Sequence, residues 1–332
     1  MPLLPAPSYT MYFPFTNGHV QTLYPPLFRK VDIVEAERVR IATPDDDFLD
    51  LDFLPATSAP DTDGAEAVSA RPLVVVSHGL EGHSRRKYVR GMAACMNAAG
   101  WDVCAWNFRG CSGETNRALR MYHSGVTDDL HTVIEFCAGR GYSRIGLAGF
   151  SMGGNQILKY LGENPSAVHP AVVAAATFSV PCDLTGAAKV LDKPSNAIYM
   201  RYFMRTLKEK MRQKKALYPD LNIDGLDGMT TFGEFDNQFT APINGFRDAE
   251  DYWQRSGCGQ YLAGLRLPAL LMNAKNDPFL SPSCYPIHMA RQSDYLHLQM
   301  PVTGGHVGFI RQHEDGYYWS DLRAVEFLRQ YL

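Results

Sequence analysis

The chain has 332 residues, 45% of them hydrophobic and 20% charged, which excludes a largely disordered or collagen-like protein. Its 32 basic and 35 acidic residues leave a formal net charge of -3, so no global field recruits nucleic acid or an anionic membrane.

The first thirty residues are rich in proline and aromatics and read as an extended segment. Tyr12, Phe13, Phe15, Leu23, Tyr24, Leu27 and Phe28 carry apolar surface worth about 25 cal/mol per Å² on burial, so the segment is expected to pack on the core, with covering of the pocket as the alternative. Residues 31–41 and 48–54 suggest two short strands around the turn Pro44-Asp45-Asp46-Asp47. Ala56 to Ala70, made of Ala, Thr, Ser, Pro, Asp and Gly, reads as a mobile surface loop.

From Pro72 the pattern becomes rhythmic. Apolar runs without alternation occur at Leu73–Val76, Val103–Trp106, Ile145–Ala148, Val172–Phe178, Leu270–Met272 and Leu296–Met300, as suits strands buried on both faces. Helix-length segments lie between most of them, near 84–99, 125–139, 151–164, 283–292 and 318–331. Strand alternating with helix predicts an α/β fold with a mostly parallel central sheet covered on both faces. The rhythm breaks between Pro181 and about Leu265, where polar, helical and aromatic sequence predicts a helical cap. The expected parts are an extension at 1–30, a core of 31–180 plus 266–332, and a cap insertion at 181–265.

The sharpest local signal is Gly149-Phe150-Ser151-Met152-Gly153, between the apolar run Ile145–Ala148 and a helix-like stretch. A serine on a strained strand-to-helix elbow needs Gly149 and Gly153 beside it so that strand and helix can approach. Asp277 follows the Leu270–Met272 run, and His306 sits in a glycine-rich loop after the last one. That order, Ser then Asp then His, is the one this elbow requires. Ser151 is the expected nucleophile, His306 the base, and Asp277 the carboxylate that orients the imidazole. His288, His297 and His313 are read as structural or solvated, and Asp294 fits the acid role less well than Asp277. The loop His78-Gly79-Leu80-Glu81-Gly82 ends a strand with backbone freedom, so the amides of Leu80 and Met152 are the expected oxyanion donors. His78 is expected to brace that loop.

No metal-ligand spacing and no nucleotide-binding glycine pattern is present, so neither metal nor organic cofactor is expected. Seven scattered cysteines without a C-x-x-C pair point to a reducing compartment, and a cytoplasmic location is expected. No run approaches the roughly 20 apolar residues of a spanning helix, and the first residues show no secretory signal. Arg109, Arg117 and Arg120 read as bracing their loop rather than binding a head group. Arg201, Arg205, Lys208, Lys210, Arg212, Lys214 and Lys215 form a basic amphipathic helix, for which a solvated face over a packed cap is favoured over contact with anionic lipid.

With Asn17-Gly-His-Val-Gln-Thr-Leu, His78-Gly-Leu-Glu-Gly, Asn107-Phe-Arg-Gly, Tyr122-His-Ser-Gly, Gly149-Phe-Ser-Met-Gly-Gly-Asn and Gly304-Gly-His-Val-Gly-Phe in view, the sequence resembles the α/β-hydrolase superfamily. More narrowly it is similar to AB hydrolase family 4, the YheT-like hydrolases and esterases. The resemblance implies an α/β-hydrolase fold and carboxylic ester hydrolysis with Ser151, Asp277 and His306 as charge-relay residues. Family members often carry two acids before Pro-Phe; here the first position is Asn276. The membrane anchor of eukaryotic relatives is not seen, so membrane residence is not expected. The expected substrate is a small-molecule ester, of short to medium acyl chain or lipid-like. Acyl transfer or peptide cleavage by the same triad, and a non-catalytic binding protein of this fold, are the alternatives.

Overall fold

The computed structural model describes residues 4, 9, 11–31, 35–56, 71–311 and 315–332. The predicted loop from residue 57 to Ala70 lies outside the described residues, as does His313.

Each non-alternating apolar run forms a strand. The strands are β1 (Glu37–Ala42), β2 (Phe48–Leu54), β3 (Leu73–Ser77), β4 (Asp102–Asn107), β5 (Ile145–Phe150), β6 (Val172–Phe178), β7 (Ala269–Met272) and β8 (Leu296–Gln299). They make one sheet in the order β1-β2-β4-β3-β5-β6-β7-β8. Pairing is antiparallel for β1 with β2 and β2 with β4, and parallel for every other pair. All residues of β3, β4 and β5 are buried, which is why their side chains do not alternate. β2 carries Asp50 and Asp52 into the buried layer, where Arg40 and Arg38 of β1 hold them at 2.8 and 2.7 Å.

Helix α1 (Gly18–Phe28) precedes the sheet; α2 (Lys87–Ala98), α3 (Asp128–Gly139) and α4 (Met152–Glu163) alternate with its central strands. Between β6 and β7 come α5 (Leu184–Leu191), α6 (Ala197–Leu217), α7 (Phe232–Phe235) and α8 (Ala249–Ser256), followed later by α9 (Ile287–Gln292) and α10 (Trp319–Leu328). One face of the sheet packs against apolar residues of α3 and α4, such as Ile134, Ile157 and Leu161. The other packs against α2 and α10 through Met92, Met96, Ala324 and Phe327. The chain between β6 and β7 has its own apolar cluster, in which Met200, Met204, Leu207 and Met211 of α6 meet Phe232, Phe235, Met121 and Phe279. Those α6 positions recur at helical spacing and put one stripe inward.

Much of the basic side of α6 is paired within the molecule. Lys210 pairs with Glu81 at 3.0 Å, Lys214 is buried and donates to the carbonyls of Asn116 and Ala118, and Arg212 pairs with Asp227. Arg201 and Arg205 stay exposed. Arg109 is buried among Asp45, Asp47 and Asp129 at 2.7–3.0 Å, a brace between loops. Among the described residues, no helix is long and apolar enough to cross a membrane.

The N-terminal segment departs from its extended reading. Residues 18–28 are helical, with Asn17 accepting the amides of His19 and Val20 as N-cap. Its aromatics are not what it buries: Tyr12, Phe13, Leu27 and Phe28 are 82%, 89%, 65% and 61% exposed. The helix buries Gln21 and Pro25 instead, and Arg29 at its end is paired to the buried Asp321. Hydrogen bonds and backbone contact hold this helix against the glycine-rich loop at Gly305–Gly308.

Candidate active site

β5 delivers Ser151 at its carboxyl end, and α4 begins on the next residue. Ser151 has φ +52°, with its amide donating to Phe178 O at 2.8 Å, so a neighbouring strand holds the turn. The two flanking glycines make it possible. A Cβ on Gly149 would lie 2.8 Å from the Gly153 carbonyl, and one on Gly153 would lie 2.4 Å from His78 O. The elbow therefore touches the end of β3 as well as its own helix.

His306 Nε2 lies 2.9 Å from Ser151 Oγ, and its Nδ1 lies 2.9 and 3.1 Å from the two carboxylate oxygens of Asp277. Asp277 is buried and also accepts the Phe279 amide at 2.9 Å. The Phe279 ring stacks on the imidazole with centroids 4.1 Å apart, which limits its rotation. The three residues expected from chain order are thus brought into one hydrogen-bonded line.

The loop after β3 closes the other side. The Gly79 amide donates to Tyr88 Oη at 2.9 Å and the Glu81 amide to Tyr122 Oη at 3.2 Å. The Leu80 amide stands between these two occupied donors, and Leu80, Ser151 and Met152 line one cavity. His78 braces the loop: its Nε2 accepts the Phe108 amide at 3.2 Å, so Nδ1 carries the proton donated to Gly79 O at 2.7 Å. Burial pushes its pKa down to about 3, which keeps it neutral and unsuited to be a base here. Among the described residues there is no cluster of His, Cys, Asp and Glu suited to a metal ion.

Sequence reasoning missed the supports of the histidine loop. The His306 amide donates to Thr22 Oγ1 at 2.9 Å, and that hydroxyl donates to Gly18 O at 2.7 Å. Asn276 Oδ1 accepts the Gly305 amide, while its Nδ2 donates to Thr16 O, both at 2.9 Å. An amide serves both partners; a carboxylate at this position could not donate to Thr16. The Val307 amide, at φ +59°, donates to Ser179 Oγ beyond β6. Pro25 has no N–H to offer the Gln21 carbonyl, and Gly308 packs against that oxygen. Asn17, a helix-capping residue ahead of Val20 and Leu23, was the signal in the sequence that a helix starts here.

The cavity beside Ser151 has a volume of about 120 Å³. Its wall is largely apolar, including Leu80, Met121, Phe203, Phe235 and Phe279, drawn from the core loops and the β6–β7 insertion together.

The sequence profile of the family described as serine aminopeptidase, S33, matches residues 68–222. The chain is 32% identical over 329 residues to "Putative esterase YheT" of Escherichia coli (strain K12), covering 96% of this chain and 92% of that protein. The chain belongs to the α/β-hydrolase family. Another member, phospholipase ABHD3 of Bos taurus, is 30% identical, with 87% of this hydrolase and 70% of the relative covered. Among solved structures, a Pyrococcus furiosus esterase matches this α/β-hydrolase with a TM-score of 0.58 and 16% identity, covering 91% of this chain and 95% of that one. That likeness concerns the fold.

Proposed function

We propose that this chain is a serine hydrolase that cleaves carboxylic esters of short acyl chain through an acyl-enzyme on Ser151. The observation that carries the reading is the unbroken line from Asp277 through His306 to Ser151 Oγ at the wall of an apolar cavity.

In this reading His306 Nε2 takes the hydroxyl proton as Ser151 Oγ attacks the ester carbonyl, and Asp277 stabilises the imidazolium through Nδ1–H. The carbonyl oxygen gains charge and is met by the amides of Leu80 and Met152, the second at the start of α4, where unpaired N–H groups point outward. His306 then gives its proton to the departing alcohol, and water repeats the sequence on the acyl-enzyme. No step requires a metal or an organic cofactor.

The cavity supports a short acyl group. An engineered apolar cavity of about 150 Å³ holds a benzene-sized ligand, and this one is slightly smaller at about 120 Å³. The names of the relatives, an esterase and a phospholipase, support ester chemistry without indicating chain length.

A p-nitrophenyl ester series from acetate to dodecanoate tests the proposal. kcat/KM is expected to peak near four to six carbons, roughly the size the cavity admits, and Ser151→Ala should remove both turnover and fluorophosphonate labelling. Undiminished turnover in Ser151→Ala refutes the nucleophile, and a maximum at ten or more carbons refutes the short-chain reading.

A further inference from the structure

The wall of the Ser151 cavity carries one acidic side chain, Asp236, which the ester chemistry above does not use. Asp236 is buried and opens a π-helical turn, Asp236–Thr240, that follows α7. Such turns are uncommon and occur frequently at functional sites. Trp253 Nε1 donates to Asp236 Oδ2 at 2.8 Å, and the indole is itself part of the cavity wall. Among the described residues no Lys, Arg or His forms an ion pair with this carboxyl. Burial raises its pKa to about 6 although the Thr240 hydroxyl and the Trp253 indole hydrogen-bond to it, so it is charged at neutral pH with only neutral donors beside it.

A buried charge without a counter-group destabilises the empty protein. An apolar or amide residue would fill this wall more cheaply if packing were its only role. His123, elsewhere on the cavity wall, offers no counter-charge: the Gly125 amide donates to its Nδ1 at 3.1 Å, and burial lowers its pKa to about 3. Trp253 and Thr240 are its neutral hydrogen-bond partners, and a further, charge-compensating donor would come from what enters the cavity.

We propose that Asp236 is a specificity-determining residue that receives a hydrogen-bond-donating group, a hydroxyl or a protonated amine, carried on the acyl or alcohol arm of the ester attacked by Ser151. This rests on the ester-hydrolase reading of the same site. The substrate class it selects is a short ester with a polar donor a few atoms from the carbonyl, in preference to a plain hydrocarbon ester. The aromatic wall shields the contact from water, which strengthens a hydrogen bond to a charged acceptor.

Two matched ester series test this, with kcat/KM read by proton release. On the alcohol side, 2-hydroxyethyl butyrate is compared with propyl butyrate, and protonated 2-(dimethylamino)ethyl butyrate with 3-methylbutyl butyrate. On the acyl side, methyl 3-hydroxybutyrate is compared with methyl 3-methylbutyrate, and protonated methyl 4-(dimethylamino)butyrate with methyl 5-methylhexanoate. The donor-bearing member is expected to win by at least about tenfold in one pair, the scale of a hydrogen bond to a charged group. In Asp236→Asn an ammonium preference should fall to within about twofold and a hydroxyl preference should shrink at least about threefold, because the amide still accepts but carries no charge. No preference in any pair, or a preference unchanged in Asp236→Asn, overturns the proposal.

Calorimetry on Ser151→Ala keeps the pocket intact and does not depend on how Asp236→Asn folds. Protonated 2-(dimethylamino)ethanol should bind at least about tenfold tighter than 3-methylbutanol, or ethylene glycol tighter than 1-propanol; equal binding in both pairs overturns the proposal. Donor binding without turnover of any ester would defeat the hydrolase reading while leaving the Asp236 site standing.

Discussion

Replacing Thr22 with valine removes one hydroxyl 284 positions away in sequence from His306, whose loop it supports. In the native protein that hydroxyl accepts the His306 amide at 2.9 Å and donates to Gly18 O at 2.7 Å. Valine preserves the shape and leaves the amide without a partner, a penalty of about 1–3 kcal/mol for a buried donor. The loop recovers that energy by turning the amide elsewhere, and the imidazole moves with it. Only geometry within a fraction of an ångström supports proton transfer from Ser151, so the loss should appear in kcat, at roughly 10- to 100-fold for that penalty. KM should change little, since Thr22 does not line the cavity. The assay is steady-state hydrolysis of p-nitrophenyl butyrate, with the rate of fluorophosphonate labelling as an independent measure of Ser151 reactivity. Thr22→Ser keeps the hydroxyl and should retain most of the activity. A Thr22→Val protein within twofold of the parent refutes the reasoning, as does a Thr22→Ser protein equally impaired.

Two further outcomes follow from the same geometry. Gly153→Ala places a Cβ 2.4 Å from His78 O and 2.6 Å from Ser77 O, both backbone atoms that cannot swing aside; it should cost about 1–3 kcal/mol or more in denaturant unfolding and slow labelling of Ser151, whereas unchanged stability would show that the elbow does not press on β3. Asp236→Asn should do the reverse at neutral pH. With the folded pKa raised from 3.8 to about 6 by burial, the charged carboxylate penalises the folded state above pH 6, and the penalty fades to nothing as pH falls toward 3.8. The variant should therefore be more stable by about 2–3 kcal/mol at pH 7.5, with the gain shrinking below pH 6 and absent near pH 4; equal stability at pH 7.5 contradicts an uncompensated charge at this site.

The strands and the Ser–Asp–His line were legible for related reasons. A strand covered on both faces has no room for polar alternation, so β3, β5 and β7 announce themselves as short apolar runs. Their carboxyl ends share one edge because the pairing is parallel, which is why chain order led to the expectation that Ser151, Asp277 and His306 lie together before any distance was known. The N-terminal helix was not legible from the same rules. Hydropathy predicts that aromatics face inward, but α1 buries Gln21 and Pro25 and leaves Leu27 and Phe28 in solvent. The basic face of α6 misleads in a similar way: its charges suggest a solvated surface, yet Lys214 is buried against two carbonyls of a loop about a hundred positions earlier.

By itself the sequence indicated the buried strands, the sheet class and the chain order of Ser151, Asp277 and His306, because these depend on local periodicity, on glycine at an elbow and on the order of residues along strands. Only the tertiary structure decided what surrounds them: that α1 carries the His306 loop through Thr22, that Asn276 bridges Gly305 and Thr16, and that Asp236 shares the cavity of Ser151. Those relations join residues up to 284 positions apart. A hydrogen bond or a shared cavity wall at that separation leaves no periodic trace in the chain, since the position of each partner is set by the packing of the whole sheet between them.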